Sequence, residues 1–358
     1  MTVSAHPVTR RGWPLLLLKA GLGFGLLAWF LTGDTWVRLV GIVLDASPAF
    51  LALALLLGLV NFGIGTLRWH LLLREAGSQN TYVRTFSLLL VAQFFNTFVP
   101  GGLAGDVVRT WGGRDGEVTS AVSFGTVLTD RLLGIVGLMT CCGLGLALSW
   151  KALLQSGLAR YVVIVSAIAC VAFALLYSRR IGRPLSRLLG RLGAAGSLVE
   201  NVLEALHAQR ERPRTLLVGL ALSLTSSLLQ ITIIFLLGLA LGSEAEFRHY
   251  LAFVPIIGIV SMAPVTIGAG LGVREASFVL LFGQIGVPKA VALGTSLLFF
   301  VVILIPALLG GVVYLSSGRR QAGQRSSETL PAPSSPDHLG GPGLGPVQEG
   351  ATRSESTI

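Results

Sequence analysis

Two short stretches of this chain place arginine and a carboxylate just beyond a cluster of proline and glycine. The first is VPGGLAGDVVRTW, containing Pro100, Gly101, Gly102, Gly105, Asp106 and Arg109. The second is APVTIGAGLGVREASF, containing Pro264, Gly268, Gly270, Gly272, Arg274 and Glu275. In both, glycine and arginine stand four positions apart with valine before the arginine, as Gly105/Arg109 and Gly270/Arg274. A guanidinium presents a planar fork of donors that matches the oxygens of a phosphodiester. Asp106 and Glu275 would neutralise these arginines when no ligand is bound, exchange a proton, or select a cationic headgroup. The chemistry on offer is anion binding, with interfacial anchoring or structural ion pairing as the plainer alternative.

Other residues join these candidates. Asp130 and Arg131 are adjacent in a long apolar run, where they line a vestibule or anchor a helix. Asn96, four residues before Pro100, is a candidate for the same cavity, whereas Gln93 and Gln230 read as interhelical hydrogen-bonding residues. Arg68 ends an apolar run beside Trp69 and His70 and reads as an interface anchor, and Lys19 as a snorkelling lysine. Catalytic signatures are missing from the sequence: it has no GxSxG, HExxH or P-loop, and its five histidines form no pair with a nucleophile. Cys141, Cys142 and Cys170 lie within apolar runs and read as small hydrophobic residues, so neither a metal site nor a cofactor is expected.

The elements that must position these residues belong to a membrane. Of 358 residues, 53% are hydrophobic and only 12% charged, and the mean hydropathy is +0.76. Water-facing domains keep roughly a quarter of their residues charged. Apolar runs fall at about 13–31, 48–67, 85–99, 119–149, 161–178, 215–241, 250–282 and 290–316. The run after Arg10 and Arg11 ends in AWFLTGDTW without a small-x-small exit, so it reads as an uncleaved first span. The net charge of +10 comes from arginines in short runs between apolar stretches, which set topology and meet anionic headgroups; nucleic acid is excluded as a partner. Arg183, Arg187 and Arg191 recur every four residues opposite several leucines, the pattern of an amphipathic helix on a leaflet or of a solvated loop. From Gln321 the composition turns to Ser, Pro and Gly. The expected division is therefore a transmembrane domain at 1–320 and a disordered cytoplasmic tail at 321–358.

Topology follows from charge. The N-terminus, the 179–214 loop and Arg319–Arg320 are expected in the cytoplasm, and the acidic 242–248 loop outside. Both ends on one side require an even number of crossings. The third and seventh runs are interrupted by proline and glycine, and such backbone is tolerated within a bilayer only where protein or a wet cavity surrounds it. If each interrupted run returns to its own side, the charges fit. The expected fold is therefore all-α and polytopic, with about six full transmembrane helices and two re-entrant helical hairpins entering from opposite faces as an inverted repeat. Lys151 and Arg160, placed outside, are its exceptions.

The segments RWHLLLREAG, FFNTFVPGGLAGDVVRTW, TVLTDRLLGIVGL and APVTIGAGLGVREASFVLLF, in this order, resemble the lysylphosphatidylglycerol synthetase transmembrane-region family over roughly residues 10–318. The resemblance implies a membrane domain that moves lipids, such as aminoacylated phosphatidylglycerol, between leaflets. It carries onto Asp106, Arg109, Asp130, Arg131, Arg274 and Glu275 as the positions to test. Unlike two-part members of that family, this sequence has only a short tail after Arg320 and no soluble aminoacyl-transferase domain. The expected function is a non-enzymatic flippase or transporter of a phosphate-bearing, anionic lipid in the bacterial cytoplasmic membrane, with both termini cytoplasmic. The alternatives are an intramembrane transferase acting on a lipid-linked sugar or isoprenoid, with Asp106, Asp130 or Glu275 as base or metal ligand, and a non-catalytic partner of a lipid-modifying enzyme.

Overall fold

The computed structural model describes residues 34–99, 103–116, 118–156, 213–261 and 270–328 of the chain. Several expectations fall outside them: the runs at 13–31 and 161–178, nearly all of the 179–214 loop, the positions Pro100, Gly101, Gly102, Pro264 and Gly268, and the tail beyond residue 328. The chain divides into two units, Met1–Leu315 and Ser316–Ile358. The second contributes only the end of the last helix to the described residues.

Every regular element among the described residues is helical: α1 (Asp34–Leu44), α2 (Pro48–Glu75), α3 (Tyr82–Phe98), α4 (Ala104–Gly112), α5 (Ser120–Ser156), α6 (Pro213–Ala240), α7 (Phe247–Ser261), α8 (Val273–Gly283) and α9 (Lys289–Glu328). Among the described residues, four helices carry stretches long and apolar enough to cross a membrane: Pro48–Glu75, Ser120–Leu148, Pro213–Ala240 and Lys289–Ser316. The sequence reading began the tail at residue 321, yet α9 continues to Glu328. No proline interrupts the polar stretch between Arg320 and Glu328.

Local chemistry sets the helix ends. Pro48 opens α2, where a missing N–H costs nothing, and Gly77 at φ 98° follows its last turn. Thr81 caps α3 by accepting from the Arg84 N–H at 3.3 Å. Between α3 and α4 lies the first proline–glycine interruption, and between α7 and α8 the second. In each case the two short helices pack against one another.

Helix α5 touches α2, α4, α6 and α7, and α6 packs along α2. Polar residues on these helices are spent locally or across interfaces. Thr66, Thr129, Ser223 and Thr295 donate to the carbonyl four residues back, which satisfies a hydroxyl without water. Asn61 on α2 accepts from Ser226 on α6 at 2.7 Å, an interhelical contact of the kind that joins membrane helices. The largest core sits where α5, α7 and α8 meet. There Tyr250, Phe253 and Phe278 surround Phe282, with ring centroids 4.7, 5.4 and 5.5 Å from its own. The second interrupted segment is thus held by interlocked rings.

Candidate anion site

Three helices converge on Asp130. Arg68 of α2 donates from Nε to Oδ1 at 2.6 Å, and Arg109 of α4 donates from Nη2 to Oδ2 at 2.7 Å. One carboxylate thus receives two guanidiniums, one on each oxygen. Arg68 also donates from Nη1 to Ser223 of α6 at 2.9 Å. The Arg109 guanidinium lies over the Trp69 ring, 4.4 Å from its centroid, and Trp69 donates to Thr126 at 3.2 Å. Beside this group, Arg131 of α5 pairs with Asp106 of α4 at 2.6 Å. Helices α4 and α5 are therefore joined by two crossed ion pairs, each helix supplying one arginine and one aspartate.

Sequence reasoning paired the arginine and acid of each motif. In the first motif the partners are exchanged: Arg109 goes to Asp130, and Asp106 to Arg131. Arg68 is not an outward anchor but a cavity-facing member of the cluster, its side chain only 13% exposed. An aspartate this buried needs a cation, and α2 supplies one. Asp106 and Arg109 are themselves buried. Arg109 Nε and Asp106 Oδ1 meet no hydrogen-bond partner among the described residues.

The break before α4 fixes this arrangement. Asn96 Oδ1 accepts the Gly105 N–H at 2.8 Å, so Asn96 caps the first turn of α4. A Cβ at Gly105 would overlap the Ala92 carbonyl oxygen and lie 2.5 Å from Asn96 Nδ2. Only glycine allows α4 to lie this close to α3.

In the second motif the arginine and the acid pair with each other. Arg274 donates from Nη2 to its neighbour Glu275 at 2.6 Å and from Nε to Ser296 of α9 at 3.0 Å, and Ser296 donates to Glu275 at 3.0 Å. The other Glu275 oxygen accepts the Gly272 N–H at 2.6 Å, closing the helix start. Gly272 and Gly270 hold φ of 85° and 87° there, a region that side chains with a Cβ resist. Arg274 and Glu275 are almost wholly buried, 3% and 0% exposed. Ser296 and Asn61 are members of the site that no local sequence pattern marked.

One cavity of about 640 Å³ opens between the two motifs. Arg68, Arg109, Asp130 and Arg131 of the first cluster and Arg274 of the second all line it. Asn96, Gln93, Gln230 and Gly270 also line it; Gln93 additionally donates to Thr97 at 3.4 Å. Asp106 and Glu275 stand behind the arginines they pair with. Among the described residues, no three His, Cys, Asp or Glu side chains gather as a metal would require. The cavity's chemistry is that of guanidiniums, the Asp130 carboxylate, amides and apolar walls.

Residues 16–311 match the family described as the lysylphosphatidylglycerol synthase TM region. The chain is also similar to a UPF0104 membrane protein of Pyrococcus horikoshii, 25% identical over 78% of this chain and 90% of the relative. Two UPF0104 membrane proteins of Methanothermobacter thermautotrophicus are 24% and 22% identical, over 76% and 69% of this chain and 85% and 79% of their own. No solved structure matches. The motif order that carried the resemblance lies within the matched span, and the long apolar helices are those of a multi-pass membrane protein. This chain belongs to the lysylphosphatidylglycerol synthase transmembrane-region family.

Proposed function

We propose that the protein is a lipid flippase, moving a phosphate-bearing lipid between the leaflets of the cytoplasmic membrane without chemical change. In this reading the two interrupted segments, α3–α4 and α7–α8, are re-entrant hairpins entering from opposite faces as an inverted repeat. Six full crossings surround them, the four described and the runs at 13–31 and 161–178, and both termini lie in the cytoplasm. The observation that carries the reading is the shared cavity, lined by Arg68, Arg109 and Arg131 of one motif group and by Arg274 of the other. Ionised side chains are rare within membrane helices, face the protein interior or a wet cavity, and mark ligand pathways. A headgroup phosphate meets forked donors there while acyl chains stay among apolar side chains. Asp130, Asp106 and Glu275 are each tied to a guanidinium, which favours a binding site over general-base work.

The test is leaflet-resolved lipid movement in proteoliposomes. Arg109→Ala and Arg274→Ala are expected to slow movement at least tenfold in protein that remains folded and monodisperse. Unchanged movement in both variants would remove the site assignment, and an inactive wild type would remove the transport reading.

A further inference from the structure

Besides arginines, the cavity is lined by carboxamides from three helices. On α2, Gly58, Asn61, Gly65 and Arg68 line it at spacings of three and four, which is one helix face. Gln93 and Asn96 of α3 and Gln230 of α6 line it too, and Gln230 stands one turn beyond Ser226, the partner of Asn61. Within the described residues, part of this amide capacity is engaged by the protein. Asn61 and Asn96 accept through their oxygens, from Ser226 and from the Gly105 N–H, which leaves their NH2 groups. Gln93 donates to Thr97, which leaves its oxygen, and Gln230 makes no hydrogen bond within the described residues. An amide at membrane depth without a partner is unfavourable. Interhelical bonding, the ordinary use of such residues, therefore accounts for half of Asn61 and Asn96 and for none of Gln230.

We infer that these carboxamides form a subsite for hydroxyl groups, and that the lipid handled carries a polyol or sugar headgroup beyond its phosphate. A carboxamide sets an acceptor and donors side by side, the complement of an alcohol that both donates and accepts. A phosphodiester is an acceptor only and finds no match in the Gln93 oxygen. An ammonium headgroup is a donor only, and Asp130, the one acid among the described lining residues, already takes a guanidinium on each oxygen. Asn61 and Arg68 are seven residues apart on α2, about 10 Å along its axis, a span suited to a phosphate joined to one polyol ring. Gly65 lies between them, and a Cβ there would meet nothing within 4 Å. The space that a side chain would take is left to the headgroup. This deepens the transport reading, on which it rests for the lipid and for the arginines that hold its phosphate.

Binding tests it separately from transport. Full-length protein in detergent is equilibrated with equimolar phosphatidylinositol, phosphatidylglycerol and phosphatidylpropanol, and the retained lipid is quantified by mass spectrometry. All three are monoanionic phosphodiesters, and the last has no headgroup hydroxyl. A parallel arm follows thermal unfolding with glycerophosphoinositol, the inositol headgroup without acyl chains. Phosphatidylinositol is expected to be enriched about tenfold over phosphatidylpropanol, the size of one or two hydrogen bonds, with phosphatidylglycerol between them. Gln230→Leu should lower that preference several-fold with total lipid retention unchanged. Gly65→Leu fills the space beside Asn61 and should exclude phosphatidylinositol first, a second readout should Gln230→Leu fail to fold. Stabilisation by glycerophosphoinositol without lipid enrichment would keep the polyol subsite and sink the lipid as its source. Enrichment without lipid movement in vesicles would keep the subsite and sink the transport reading. Equal retention of the three lipids with no effect of glycerophosphoinositol, or a preference that survives both substitutions, would overturn the inference.

Discussion

At the scale of single residues, Asp130 is the point on which the first cluster depends. It is buried, and both of its oxygens are occupied by guanidiniums from other helices. Replacing it by asparagine leaves two arginines without their counter-charge. Removing one partner of a buried ion pair costs about 3–5 kcal/mol. Asp130→Asn is therefore expected to lower the thermal midpoint in detergent sharply. Ser296→Ala removes a neutral bridge between Arg274 and Glu275 but leaves their direct contact at 2.6 Å, and should cost about 1 kcal/mol. Equal midpoints for the two variants would show that charge neutralisation does not dominate here. The same contrast explains what local sequence could reveal. Arg274 and Glu275 are neighbours in the chain, and their pairing is visible as two adjacent letters. The partners of Asp130 lie 62 and 21 positions away, and no local pattern links them. Arg68 misled because an arginine ending an apolar run beside Trp69 and His70 looks like a headgroup anchor; its true surroundings depend on where α5 packs.

At the scale of elements, the proline–glycine interruptions were legible because backbone chemistry is local. A run that loses N–H donors and gains glycine cannot remain a regular helix, and the breaks after Phe98 and Ser261 fall near those residues. What they accomplish differs. Before α4 the requirement is space, since Gly105 lies against the Ala92 carbonyl; before α8 dihedral angle is added, with φ 85° at Gly272 and 87° at Gly270, where a Cβ would also lie 2.7 Å from Ser261 Cβ. Gly272→Ala should destabilise by about 1–2 kcal/mol for the left-handed strain alone. Gly143→Ala on α5, where a new Cβ meets nothing within 4 Å, should be neutral or stabilising by up to about 1 kcal/mol. Unfolding midpoints of the two variants in detergent measure this difference, and a loss as large at 143 as at 272 would refute the dihedral argument. Helix α4 is tied to α5 by crossed ion pairs, while α7 and α8 are fixed by the Tyr250–Phe253–Phe278–Phe282 rings. Polar contacts exchange partners more readily than interlocked aromatics, so any rearrangement that admits a ligand belongs to the α4–α5 seam.

At the scale of the whole molecule, composition alone placed the chain in a membrane, and four of the expected crossings coincide with helices long and apolar enough to make one. The topology of the proposed transporter is open to direct measurement. In a variant whose three cysteines are replaced by alanine, single cysteines at Gln79 and Glu244 should react with membrane-impermeant maleimide from opposite sides: 79 in inside-out vesicles, and 244 in right-side-out ones. Labelling of both positions from one side would exclude the charge-derived orientation and, with it, hairpins that enter from opposite faces. The convergence of both motifs on one cavity required the packing of α2, α5, α6 and α9, which no run of hydropathy encodes.

The adjacency of Arg274 and Glu275 has a genetic corollary. A gene segment spanning Gly270 to Gly283 encodes an arginine together with its own counter-charge, so it could be transplanted into another bundle as an electrically balanced cassette. The α4 segment could not: alone it would arrive with Arg109 and Asp106 each missing its mate. Any lineage that alters it must rewrite Asp130 and Arg131 of α5 in the same stroke.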